Sequence, residues 1–314
     1  MGWVAVVLND SSGTGDCAPK AKQLEEIFAE AGRQARITVA RGGQQLRGAM
    51  EQAVRDGCDL LVAGGGDGTI NTAASISVDH DIPLGVLPLG TLNHFAKDLG
   101  IPLELDQAAK VALDGAACRV DVGEVNGRMF LNNSSIGVYP AVVRLRERYQ
   151  ATGLGKWVAA LWASLVVLRR NPFMAVRITV DDRATVRRTP FVFIGNNEYR
   201  MAGLQAASRE SLVGKHLAVY VLHAERRIGL LQLGWQVLRK GVDEVKELDL
   251  LTVDEATIET RRPWLSVALD GEVVPMRSPL EYRIRPAALS VHVPPETSAC
   301  YPQTARPSSS RHTL

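Results

Sequence analysis

From residue 3 to about 117 the chain alternates two kinds of apolar pattern. Short continuous apolar or extended runs at 3–8, 35–40, 60–63 and 83–88 read as strands, the continuous ones as strands buried on both faces. Between them, residues 20–33, 44–56 and 105–114 space their apolar side chains at the helical period, and another helix is expected after the glycines at 64–68. Regular alternation of this kind predicts a doubly wound α/β domain, a parallel sheet with helices on both faces.

Beyond residue 118 the pattern turns to strands. Extended runs at 119–125 and 128–133 flank Asn126-Gly127, the dipeptide that favours a type I′ hairpin. Others follow at 175–180, 187–194, 215–222, 256–259, 264–269 and 281–285, a density that predicts a second, antiparallel β-sandwich domain over 121–283. Helical patterns interrupt it at 157–168 and 226–245, and the Pro- and Ser-rich end predicts a disordered tail over 297–314. No internal repeat is visible.

Composition narrows the function classes. The 314 residues exceed the size at which one core usually keeps growing, which agrees with two domains. A net charge of +2 supplies no global field for nucleic acid. The apolar stretch 157–168 is shorter than the ~20 residues that span a bilayer, and residues 1–6 read as a first strand rather than a targeting signal. Cys17, Cys58, Cys118 and Cys300 are scattered without metal-site spacing and read as reduced thiols of a cytoplasmic protein. Oligomeric state is not legible, and a homodimer stays open.

The candidate chemistry begins at residues 64–69, GGGDGT, which close one buried strand and open a helix. Glycines there let backbone N–H groups approach a phosphate, with the helix dipole behind them. Neither common phosphate-loop pattern fits: there is no GxxxxGK[ST], and Thr69 stands where a dinucleotide fingerprint needs its third glycine. A carboxylate, Asp67, in an anion-binding loop makes sense when a Mg²⁺ lies between it and the phosphate. A turn that binds nothing is the plain alternative. At 88–93, PLGTLN repeats the strand-to-helix turn, with Thr91 and Asn93 able to cap the helix or bond a ligand.

Together GGGDGTIN at 64–71 and PLGTLNHFAKDLGIP at 88–102 resemble the diacylglycerol kinase catalytic-domain family, in its bacterial lipid-kinase branch. The resemblance extends to NDSSG at 9–13, DVGEVNG at 121–127 and FLNNSSIG at 130–137. It implies a nucleotide-binding α/β domain over 1–120, completed by residues 284–296, then the sandwich, with ATP in the cleft between them. It further implies that Asn9, Ser12, Gly13, Gly65, Gly66, Asp67, Gly68, Thr69, Asn71, Gly90, Thr91 and Asn93 contact nucleotide, and that Asp67 holds Mg²⁺.

The resemblance also assigns Asp270-Gly271-Glu272, with Asp270 as catalytic base and Glu272 as its partner at metal or substrate. Asp-Gly between alternating strands is equally a hairpin in its own right, and the two readings are compatible. Four positions depart from the family pattern: His94 replaces an acidic residue, Thr72 a glutamate, residues 213–217 lack an Asp-Gly pair, and Gly137-Val138-Tyr139-Pro140 replaces Gly-Phe-Asp-Ala. A second metal site is therefore not expected.

The expected activity is transfer of the ATP γ-phosphate to a lipid hydroxyl at the inner face of the plasma membrane, by a peripherally associated cytoplasmic protein without nucleic-acid partners. Arg144, Arg146, Arg148 and Lys156 before the apolar 157–168 segment, with Arg169 and Arg170 after it, could rest on anionic headgroups or form a solvated flank. An NAD kinase, which shares GGDGT, and a non-catalytic nucleotide- or lipid-binding module are the alternatives.

Overall fold

The computed structural model describes residues 2–10, 17–150, 166, 173–200, 208–209, 211–222, 248–295 and 297, except the side chains of 146–150, 200, 208 and 248. Ser12, Gly13, the expected helices at 157–168 and 226–245, and the tail beyond 297 lie outside the described residues. The chain forms two compact units, Met1–Val122 with Pro286–Leu314, and Gly123–Arg285.

In the first unit, strands β1 (Val4–Asn9), β2 (Ala35–Ala40), β3 (Leu60–Gly65) and β4 (Leu84–Pro88) pair in parallel in the order β2-β1-β3-β4. The end of a long strand, β18 (Leu280–Val293), joins beside β4 through Val291 and Leu84. Helices α1 (Cys17–Glu30), α2 (Gly43–Arg55), α3 (Asp67–His80), α4 (His94–Asp98) and α5 (Leu105–Asp114) make the connections. Every residue of β3 and β4 is buried, which is why those runs carry no polar alternation. Cys17 and Cys58 are free thiols whereas Cys118 is disulfide-bonded, so the expectation of reduced thiols throughout does not hold.

The second unit is an antiparallel sandwich. One sheet has the order β14-β13-β10-β7-β16-β17, from β7 (Asn133–Gly137), β10 (Phe191–Asn196), β13 (Leu217–Leu222), β14 (Leu248–Val253), β16 (Trp264–Leu269) and β17 (Glu272–Arg277). The other pairs β18 with β15 (Glu255–Thr260), then β8 (Met174–Val180) and β9 (Arg183–Thr189); β5 (Ala116–Val125) and β6 (Arg128–Phe130) add a hairpin beside β18. Ile136, Val192, Val219 and Val267 of the first sheet meet Val176, Ile178, Ile258 and Tyr282 of the second in one core. Helix α6 (Val138–Gln150) follows β7, and a two-strand ribbon joins β11 (Tyr199–Arg200) to β12 (Ser208–Arg209).

Two runs expected as single strands are each two strands in different sheets. The run at 128–133 ends β6 at Phe130 and restarts as β7 at Asn133, because the intervening N–H groups turn to a side chain, described below. The run at 187–194 breaks at Pro190, which has no N–H for a ladder. There the Thr189 hydroxyl bonds the carbonyls of Phe191 and Leu222, both at 2.8 Å, and carries the chain from β9 to β10. Apolar alternation cannot register such crossings, since both halves face the same core. Strand β14, with its charged Asp249, and helix α6 were not anticipated.

Candidate active site

In the first unit the two glycine turns meet. A β-carbon on Gly90 would lie 2.4 Å from the Gly66 Cα, so the turns touch backbone to backbone. One on Gly65 would lie 2.4 Å from the Thr69 hydroxyl oxygen. Thr69 is buried and accepts a hydrogen bond from Asn9 Nδ2 at 2.9 Å, fastening the end of β1 to the first turn of α3. Its hydroxyl therefore serves the loop's own architecture first. The glycines are needed for this packing as well as for any phosphate.

Asp67 opens α3 and is half-buried; its Oδ1 accepts a long bond, 3.5 Å, from the Phe95 N–H in α4. The N-terminal N–H groups of α3, those of Asp67, Gly68 and Thr69, have no carbonyl within their own helix to bond. Asn71 lies half-buried one turn further on. Asn93 adopts a left-handed φ of 51° at the start of α4 but does not cap it with its side chain. Instead Asn93 Oδ1 accepts from Gly90 N at 3.0 Å, and Nδ2 donates to the carbonyls of Gly90 (2.9 Å) and Pro88 (3.2 Å). Of the two readings of Asn93, helix cap or ligand contact, the cap is not made: the side chain staples its own turn, which lies against Gly66. Thr91 is exposed.

Among the described residues no group of three or more His, Cys, Asp or Glu side chains could enclose a metal ion. A lone carboxylate beside helix N–H groups instead suits Mg²⁺ held by one carboxylate and the phosphates it accompanies, so Asp67 fits that ion. Thr72, standing where the family often has glutamate, donates its hydroxyl to the Gly68 carbonyl at 3.0 Å.

In the second unit Asp270 and Gly271, with φ of 48° and 89°, form the tight turn between β16 and β17, and Leu269 pairs with Glu272. The hairpin is real, and its aspartate is half-buried and turned onto the 131–133 backbone. Asp270 Oδ1 accepts from the N–H groups of Asn132 (2.8 Å) and Asn133 (3.0 Å), and Oδ2 from Leu131 (2.8 Å). Glu272 is exposed at the start of β17.

The carbonyls of the same stretch are equally engaged. Leu131 O accepts from Arg209 Nη1 (2.6 Å) and Asn196 Nδ2 (2.8 Å), and Asn132 O from the Tyr199 hydroxyl (2.9 Å). Arg209 also reaches Asn132 Oδ1 at 3.1 Å. Burial pushes the Asp270 carboxyl above the usual carboxylate range, while the three N–H groups and the Arg209 guanidinium pull against that rise. Sequence reasoning missed Arg209, Asn196 and Tyr199. The signal available was GNNEYR at 195–200, where two consecutive asparagines end an otherwise apolar strand.

The family model for the diacylglycerol kinase catalytic domain matches residues 3–125, and that for the YegS C-terminal NAD kinase beta sandwich-like domain matches residues 135–293. The chain belongs to the YegS-like lipid kinase family. A Pseudomonas aeruginosa protein described as "Probable lipid kinase YegS-like" is 33% identical over 282 residues, 84% of this chain and 86% of that one. "Lipid kinase YegS" of Escherichia coli is 30% identical over 79% of this chain and 82% of its own length. A diacylglycerol kinase crystal structure from Bacillus anthracis superposes with a TM-score of 0.69 over 94% of this chain and 98% of that one, and its 19% identity speaks for the fold alone. Membership carries nucleotide use and kinase chemistry with it. No helix among the described residues is long and apolar enough to cross a membrane.

Proposed function

We propose that the chain is an ATP-dependent lipid kinase that phosphorylates a hydroxyl of a diacylglycerol-like or related lipid, working peripherally at the inner face of the plasma membrane. The observation that carries this reading is the meeting of the GGGDGT and PLGTLN turns through Gly66 and Gly90, with Asp67 at their junction.

The free N–H groups at the start of α3, with the helix dipole, receive the nucleotide phosphates. Asn9, through Thr69, and Asn93, through Gly90, keep the two turns in place. Asp67 would hold Mg²⁺, which when bound offsets the charge spread over the transferring phosphoryl group. Asp270 is the general base: Oδ2, which accepts one N–H where Oδ1 accepts two, takes the lipid hydroxyl's proton as that oxygen bonds to the γ-phosphorus and ADP departs. A carboxyl raised by burial is a better proton acceptor than an exposed one, so the cradle and the base role suit each other.

The test is incubation with γ-labelled ATP and Mg²⁺ on vesicles of a total lipid extract, with mass spectrometry of the labelled product. Label in a phosphorylated lipid supports the proposal and names the acceptor. Label appearing only in NADP when NAD is supplied would overturn it.

A further inference from the structure

The second unit carries an unexplained aromatic side chain. Trp264 is 63% exposed at the start of β16, just after the turn Arg261-Arg262-Pro263. Its cross-strand partner is Arg277 of β17, and alternation along the strand puts Ser266 on the same face. Ser266 Oγ accepts a 2.6 Å bond from Arg144 of α6, so that helix reaches this face, while Trp264 stays exposed. Arg144, Arg261, Arg262 and Arg277 are all exposed, and Tyr139 of α6 is 45% exposed.

The turn is pinned. Ser278 N bonds the Pro263 carbonyl at 3.0 Å, Thr260 N the Ser278 hydroxyl at 3.2 Å, and the Thr260 hydroxyl the Arg262 carbonyl at 3.0 Å. Glu272, at the far end of β17, is the one acidic side chain in β16, β17 and the turn that precedes them. An indole held out on a fixed support opposite Arg277 and just after Arg261 and Arg262, with the exposed Glu259 of β15 two residues before that turn, matches the interface of an anionic bilayer, where indoles sit at headgroup depth and arginines meet phosphates.

We propose that this face, the RRPW turn with Arg277 and the exposed part of α6, docks the enzyme on a bilayer rich in anionic phospholipid. The proposal rests on the lipid-kinase reading for its purpose, while its binding test does not need turnover. Because the turn is already ordered, docking freezes little additional conformation.

Full-length protein is co-sedimented with phosphatidylglycerol:phosphatidylcholine vesicles and with pure phosphatidylcholine vesicles. Partitioning onto the anionic vesicles alone, weakening with salt, is expected. The combined variant Arg261→Gln, Arg262→Gln, Arg277→Gln should reduce that partitioning roughly hundredfold, about fivefold per arginine. Trp264→Ala should reduce it too and lower the quenching by brominated lipid relative to wild type. Arg188→Gln, elsewhere on the sandwich, should leave it unchanged. The docking variants should phosphorylate detergent-dispersed short-chain diacylglycerol at the wild-type rate and lose turnover only on vesicles. Wild-type partitioning of the triple variant, or equal binding to both vesicle types, overturns the docking surface. Anionic-selective binding with no lipid phosphorylation in either format would support the surface and sink the kinase reading instead.

Discussion

Gly90 comes so close to Gly66 that no β-carbon fits between them, the Cβ–Cα separation being 2.4 Å. Two loops far apart in sequence are thus one structure, and a methyl group at position 90 must part them. Gly90→Ala is expected to cost about 1–3 kcal/mol of stability and to abolish nucleotide binding, read by thermal unfolding and titration calorimetry with ATP. Gly48→Ala is the contrast: it lies within α2 with open space where the methyl would go, and should stabilise by roughly 0.5–1 kcal/mol. Normal ATP affinity in Gly90→Ala would remove the junction from the site.

Among the described residues Asp67 accepts one long hydrogen bond, so losing its carboxylate should cost the fold little. Asp67→Asn should unfold at the wild-type temperature yet lose at least about a hundredfold in kcat, with ATP affinity no longer responding to Mg²⁺. Titrating nucleotide with and without EDTA checks it. A variant that still gains affinity from Mg²⁺ would leave the ion with other ligands.

For Asp270 the simple alanine test is confounded, since removing the carboxylate strands three N–H groups, each costing about 1–3 kcal/mol if left unsatisfied. The pH profile separates base from anchor. A base must be ionised, and burial raises this carboxyl, so kcat/KM should fall on the acid side at a pH above that of an ordinary carboxylate. Arg209 pulls the carboxyl down, so Arg209→Gln should move the acid limb to still higher pH. The linkage has the opposite sense for stability: a raised carboxyl favours the protonated fold, so its contribution declines as pH rises through the raised value. An acid limb that Arg209→Gln leaves in place would assign it to another group.

Glu124 is buried in β5 and takes Arg283 Nε at 2.8 Å and Arg285 Nη1 at 3.4 Å. Both arginines are over a third exposed, so water screens them and each contributes modestly. Removing the acid lifts the attraction for two cations at once. Glu124→Ala should lower stability by about 2 kcal/mol and Arg285→Ala by less than about 1, measured by urea unfolding.

Much of the architecture was legible because the two halves use different periods: continuous apolar strands such as β3 and β4, and alternating ones such as β16. The Asn126-Gly127 turn was legible for a local reason, both residues taking positive φ, 47° and 76°. What escaped were features decided by distant partners. Nothing near Leu131 signals that its N–H will serve Asp270, 139 positions away. In the candidate site the glycines and Asp67 stand out in the sequence, whereas the partners that Asn93 takes in place of a helix cap, the Gly90 N–H and the Pro88 and Gly90 carbonyls, depend on the fold of the turn and do not. Arg209 was invisible, since a lone arginine after a short strand resembles any surface cation.

The strand β18 starts in the second unit and ends beside β4 in the first. In a chain made from its N-terminus, the parallel sheet of the first unit therefore waits for β18 until almost all of the sandwich has been synthesised. Residues 1–122 alone would leave β4 with an open edge next to the very turn that carries Gly90. A ribosome stalled midway would expose that edge to other nascent chains, so the timing of synthesis, as much as the composition of the core, governs how safely this enzyme folds.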